Sequence, residues 1–355
     1  MISAVLWFLT LLLLGWLAFP IAYRFLGRLP DKGFSLSIPL ALLIWGFLYW
    51  ILGSYGLLGN NLSGLLLALA LLLALSYWAW QDGRGSEIYA WIKAHSHLIL
   101  TQQVLFLLAF ALMAYMRSLA PQATGTEKPM ELAFLNSILQ SPSMPPSDPW
   151  LSGFSISYYY FGYLMISMLA QLTQTLGAVA FNLGLAMVFA LGAVASYGLA
   201  YNLLSLLRTK KSAANRYAAL LAPLFVLILG NLEGLFEVMH SLHWFWSTGP
   251  DGIPISSFWA WLDLKDLVSP PLAEPSIIPS RYLWWWRASR VINDVNFLGI
   301  GQELIDEFPA FSFVLGDLHP HVLTIPFSFL TIGAGLNLFL GGGKERQRPG
   351  LFGLQ

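Results

Sequence analysis

The strongest constraint on this chain is the recurrence of uncharged apolar blocks of about twenty residues, each long enough at about 1.5 Å per helical residue to cross a hydrocarbon core of about 30 Å. That is the signature of several membrane-spanning helices. Crossings are expected at about residues 2–23, 34–57, 63–80, 98–119, 178–206, 217–236 and 318–340. Composition agrees: 57% of the 355 residues are hydrophobic and 10% are charged, against about a quarter charged in a soluble domain. The fold class that follows is all-α, a polytopic transmembrane helix bundle. The first block, Ile2 to Tyr23, lacks the short basic start and small-residue cleavage site of a secretory signal and reads as a retained anchor. There are no cysteines, which excludes disulfides, thiolate metal sites and cysteine nucleophiles.

Lysine plus arginine, at 18, balance 18 aspartate plus glutamate, so bulk charge gives no reason to expect a nucleic-acid partner. The distribution says more. The basic loops Arg24/Arg28/Lys32, Arg84/Lys93, Arg208/Lys210/Lys211/Arg216 and Lys344/Arg346/Arg348 fall on one side if residues 157–207 cross once in net. By the positive-inside rule that side is cytoplasmic and the N-terminus is outside, in a multi-pass protein of the plasma membrane. These loops hold 12 of the 18 cations and four acids, Asp31, Asp82, Glu87 and Glu345. The topology makes Ser157 to Gln174, with Tyr158-Tyr159-Tyr160-Phe161-Gly162-Tyr163, an interfacial or re-entrant helix whose aromatic residues suit the headgroup level. The alternative is a true span that pushes four basic residues outside.

Two outer segments, residues 120–156 and 237–317, are too long and too polar to be simple connectors. Both are dense in tryptophan and proline, which argues against disorder. Trp244, Trp246, Trp259, Trp261 and Trp284-Trp285-Trp286 suit a membrane surface, a sugar ring or the core of a small outer subdomain.

Three constellations could carry chemistry. Thr126-Glu127-Lys128-Pro129-Met130-Glu131 opens a helix in which Glu127 and Glu131, four apart, share a face as like charges. With Asp148 they supply hard oxygen ligands for Mg²⁺ or Mn²⁺, or a general base; the plainer reading is acids at a helix N-terminus. Asp317-Leu318-His319-Pro320-His321 could bind a metal, hydrogen-bond a phosphate or cap a helix, and it matches no standard zinc spacing. Arg281, Arg287 and Arg290 are outer cations suited to phosphate, or to pairs with nearby acids such as Asp294. Glu233 and Glu237 repeat at four residues where a span reaches the outer face. No phosphate-binding loop, dinucleotide fingerprint, nucleophile elbow or His-Glu-x-x-His is present.

Three blocks resemble a known family: Glu127-Lys128-Pro129-Met130-Glu131-Leu132-Ala133-Phe134-Leu135-Asn136; Asp148-Pro149-Trp150-Leu151-Ser152-Gly153 through Tyr158-Tyr159-Tyr160-Phe161-Gly162-Tyr163; and Glu307-Phe308-Pro309 through Gly316-Asp317-Leu318-His319-Pro320-His321. In order and spacing they resemble the YYY-domain family of prokaryotic membrane proteins, itself largely uncharacterised, and Arg24 to Gly33 is similar to that family's first inner loop. Members are often much longer, which fits a chain that stops shortly after Gly341-Gly342-Gly343-Lys344-Glu345-Arg346 as the N-terminal portion of a longer protein. The family in turn resembles the GT-C glycosyltransferases, which use polyprenyl-phosphate-linked sugars at the outer membrane face. That likeness implies three preceding helices in residues 1–97, a GT-C-like core in 98–340 and a cytoplasmic loop in 341–355.

It also implies roles. Glu127 or Glu131 would be base or metal ligand, with Asp148 assisting, although many members carry Asp where Glu131 stands. Lys128, Arg281, Arg287, Arg290, His319 and His321 would hold phosphate, and Glu131 with Asp317 would hold Mg²⁺ or Mn²⁺. The implied partners are the bilayer, a polyprenyl-phosphate carrier and a sugar, with no nucleic acid. Two other functions compete. One is a transporter or lipid scramblase gated by the re-entrant segment, for which no inverted repeat is visible. The other is a non-catalytic scaffold, in which the acids would point to separate places.

Overall fold

A computed structural model describes residues 2–81, 83–207, 213–280 and 284–345. The helices in chain order are α1 (Ile2–Phe25), α2 (Ser37–Ser54, entered through a 3₁₀ turn at Phe34–Leu36), α3 (Leu62–Trp80), α4 (Arg84–Ala94), α5 (Ser96–Leu119), α6 (Lys128–Gln140), α7 (Phe161–Thr173) and α8 (Gly177–Leu207). They continue with α9 (Ala213–Ile228), α10 (Glu233–Ser241), α11 (Ser257–Leu262), α12 (Trp284–Arg287), α13 (Pro309–Leu315), α14 (Pro320–Leu323) and α15 (Ile325–Glu345). Two short antiparallel hairpins, β1 (Ser247–Thr248) with β2 (Pro254–Ile255) and β3 (Asn293–Val295) with β4 (Gly301–Glu303), are the strands among the described residues. The fold is an all-α polytopic bundle.

Among the described residues six helices are long and apolar enough to cross a membrane: α1, Phe34–Ser54, α3, α5, α8 and Pro320–Gly341. They fall on six of the seven expected crossings. The seventh, expected at 217–236, is instead a broken pair, α9 and α10. Gly230 and Asn231 sit at the break, and the Asn231 carboxamide oxygen accepts the Glu233 N–H at 3.1 Å. Glycine weakens helix continuity, and asparagine there bonds to a local N–H that starts a new helix.

The chain forms two compact units, residues 1–227 with 316–355, and residues 228–315. In the first, α1 packs on α2, α3, α5 and α7, so the three N-terminal helices share one unit with the rest of the bundle. The centre is α8, with 83% of its most apolar window buried against 33% for α1 and for α3. The loop before α2 is fastened to α8 through Asp31. Its carboxylate accepts from the Gly33 N–H, Ser35 N–H, Ser35 hydroxyl and Asn202 amide, while Asn202 accepts the Asp31 N–H. A fully buried acid with that many donors is compensated for its lost hydration.

The helix α7 carries the tyrosine-rich segment at its start. Its 13 residues span about 20 Å at 1.5 Å each, too short for a crossing. The Tyr160 hydroxyl, just before it, accepts from the Trp50 indole at 2.7 Å, near the end of α2. In its last turn Gln171 reaches Asn60 in the α2–α3 connection at 3.3 Å, and just beyond it Thr175 accepts from the Trp7 indole at 3.1 Å, near the start of α1. Those three partners lie at one end of an alternating bundle, so α7 begins and ends near the same end. Tyr163 to Ala170 are all buried, so α7 packs inside the bundle.

Candidate functional site

The site is built where α5 ends, α6 begins and the chain turns from Gly316 into α14. Pro129 occupies the first turn of α6, where its missing N–H has no partner to lose. The Glu131 N–H bonds the Glu127 carbonyl at 3.1 Å, and the charge of Glu127 acts on the Glu131 carboxyl. Glu131 is fully buried, and the Glu127 side chain is 54% exposed.

Glu131 Oε2 accepts the Leu318 N–H at 3.0 Å, and its carboxyl lies beside that of buried Asp317. Burial above all, then the charge and hydrogen bond of Asp317, raise the Glu131 pKa well above the ordinary carboxylate range. Two carboxyls in such contact cannot both ionise readily, so the pair retains a proton at neutral pH.

Two buried cations stand at the same place. Arg117, in the last turn of α5, donates from Nε to Asn182 of α8 at 2.9 Å. Its guanidinium lies against Gly316, where φ is +77° and a Cβ would strike the Arg117 side chain; only glycine satisfies both demands. Arg117 Nη2 is buried with no hydrogen-bond partner among the described residues. The Lys128 ammonium has its pKa lowered, by burial first and then by Arg117, against the opposing pull of Asp317 and Glu131.

The rim is built from histidines and the first tyrosine. His319 Nε2 meets Glu127 Oε2 at 2.7 Å and lies 3.4 Å from the Tyr158 hydroxyl; its Nδ1 is 2.8 Å from Nδ1 of His321. Tyr158 stacks on Phe134 of α6 at 5.3 Å, and burial, then Glu127, hold its phenol protonated to higher pH than usual.

From Tyr158 and Pro320 an apolar groove of about 560 Å³ runs along the bundle, lined by Phe47 and Trp50 of α2, Tyr159, Phe161, Leu323 and Phe327. Leu43 and Phe47 on its wall are exposed side chains of a spanning helix, so the groove opens toward lipid.

The remaining sequence candidates stand elsewhere. Asp148 Oδ1 accepts the N–H groups of Trp150 and Leu151, both at 2.8 Å, and closes a local turn; no described contact joins it to Glu131. Arg287 and Arg290 belong to the second unit. There Arg287 pairs with Asp266, and Arg290 stacks 3.9 Å over Trp286 and lies 3.8 Å from Glu303, so their acidic partners are not Asp294. Arg281 lies outside the described residues. Glu233 and Glu237 are buried in the second unit, where Trp259 is fully buried against His240 and Phe258 while Trp261 is exposed. Among the described residues no three of His, Asp and Glu are grouped to hold a metal ion. Glu131 and Asp317 adjoin as a pair of carboxyls.

Arg117, Asn182 and the groove were not singled out from the sequence. Arg117 carried a usable signal, since a cation inside the last turn of an apolar span is expensive unless it has a task.

A family model described as Uncharacterized membrane protein (DUF2298) matches residues 44–354. No curated protein and no solved structure matches the chain.

Proposed function

We propose, for a chain that belongs to the uncharacterised membrane protein family DUF2298, that the bundle is a transferase that takes a sugar from a polyprenyl-phosphate carrier at the outer membrane face. One observation carries the reading: the lipid-facing groove abuts the buried cation and carboxyl cluster through Tyr158 and His319. A branched hydrocarbon chain fits the groove, and a phosphate at its end fits Arg117, Lys128 and His319. The unpartnered Nη2 of Arg117 would gain an acceptor there, which a neutral lipid would not supply as strongly.

In this scheme an acceptor hydroxyl attacks the anomeric carbon. The bond from that carbon to the phosphate oxygen breaks, and the electron pair leaves with polyprenyl phosphate, stabilised by the two buried cations. The acceptor's proton passes to the Asp317 carboxylate, beside the protonated Glu131, and Glu127, His319 and His321 at the rim hand it to water. The charge sorting of the inner loops supports the outward orientation. The scaffold alternative expects scattered acids, and Glu131 and Asp317 instead adjoin.

Asp317→Asn is the informative variant, because the amide keeps the size of the side chain and removes the carboxylate that takes the proton. In membranes of the producing organism supplied with polyprenyl phosphate carrying a radiolabelled hexose, transfer of label from the lipid fraction should fall by about a hundredfold or more, with the protein still folded in the membrane. Transfer at the wild-type rate would remove Asp317 from the chemistry.

A further inference from the structure

The β3–β4 hairpin of the second unit ends in an apolar tip that the proposed chemistry does not use. Val295 pairs with Gly301 at the top of the ladder. Above it the Asn296 N–H donates to the Ile300 carbonyl and the Gly299 N–H to the Asn296 carbonyl, both at 2.9 Å. Asn296 Oδ1 accepts the N–H groups of Leu298 at 2.9 Å and Ile300 at 3.0 Å. Gly299 supplies the positive φ, +75°, that lets the chain return. Four hydrogen bonds therefore fix a turn that holds Phe297 and Leu298 outward, 111% and 82% exposed, with Val295 and Ile300 exposed below them. A flexible loop could fold such side chains in; this one is built to present them, at a hydrophobic penalty unless they are covered.

What covers them follows from size and tethering. The tip is four side chains, against the roughly 20–30 residues a side that a stable protein interface buries. A bilayer requires no such minimum. The unit is also flanked in sequence by the apolar helix α9 and by the span Pro320–Gly341. This tethering keeps the tip at high effective concentration near lipid, and weak insertion suffices. We propose that Phe297 and Leu298 insert into the boundary between headgroups and acyl chains and hold residues 228–315 on the membrane surface. The inference is independent of the transferase reading.

The absence of cysteine makes a direct test available. Phe297→Cys and Leu298→Cys, each carrying a nitroxide label in the full chain, are reconstituted into liposomes of phosphatidylcholine and phosphatidylglycerol. Collision with oxygen, which concentrates in the bilayer, is compared with collision with a water-soluble nickel chelate. Asp251→Cys, in the polar turn of the β1–β2 hairpin, is the aqueous reference. Both tip labels should collide several-fold more with oxygen, and several-fold less with the chelate, than the label at 251. Accessibility equal to that at 251 would overturn the proposal. Protection from both reagents would also overturn it, by showing a protein cover such as a second copy. Both tip residues are exposed, so their replacement removes no packing.

Discussion

A carboxyl with no exposed surface, one oxygen held by the Leu318 N–H and an acid at its side, keeps its proton to higher pH than a free glutamate. The linkage has a definite sign. Between the unfolded value near 4.3 and the raised folded value, the folded protein binds a proton that the unfolded chain has lost, so stability falls as pH rises through that window. The wild type should therefore lose thermal stability in detergent relative to Glu131→Gln as pH goes from about 5 to about 8. Parallel midpoints over that range would mean that Glu131 ionises without penalty. At this scale the acids and histidines were legible, because Glu131, Asp317 and His319 lie in dense motifs of polar residues. Asp148 was legible as a polar residue but not as a turn closer, since the sequence does not say which N–H groups its oxygen will meet. Arg117 was hidden by its apolar neighbours, and its proximity to Gly316 depends on a contact about 200 positions away in the chain.

The helix α7 shows what an element can do when it is too short to cross. Its two ends return to partners at one end of the bundle, Trp50 before it and Asn60 and Trp7 after it, and its burial within the bundle shields the backbone from lipid. Single cysteines at Tyr159 and Leu176, 75% and 77% exposed, should both react with a membrane-impermeant maleimide from the same side of sealed vesicles. Labelling from opposite sides would make α7 a true span and reverse the orientation of everything after it. The long spans were readable because hydropathy over twenty residues is a large, additive signal. The break at Gly230 and Asn231 was not, because a window that long averages across two residues whose local hydrogen bond starts a separate helix. Charge sorting yielded a re-entrant or interfacial α7, and packing puts it inside the bundle.

For the whole molecule, the account joins an apolar groove open to lipid with a cluster of buried charge that lipid alone could not tolerate. Two cations, two carboxyls and a histidine rim assembled from α5, α6 and the turn before α14 are costly unless they act on a charged group. The sequence motifs marked three of the contributing segments, but the groove arises from side chains of α2, the tyrosine run and the last span meeting in space, which no linear pattern encodes. The most direct test of the central claim is photocrosslinking of the purified protein with a polyprenyl phosphate bearing a diazirine on its isoprenoid chain, followed by peptide mapping. The account predicts adducts within residues 43–50, 158–165 and 320–327 that unlabelled polyprenyl phosphate displaces and polyprenol, which lacks the phosphate, does not. Adducts spread evenly over the lipid-facing helices, or displaced equally by polyprenol, would contradict it.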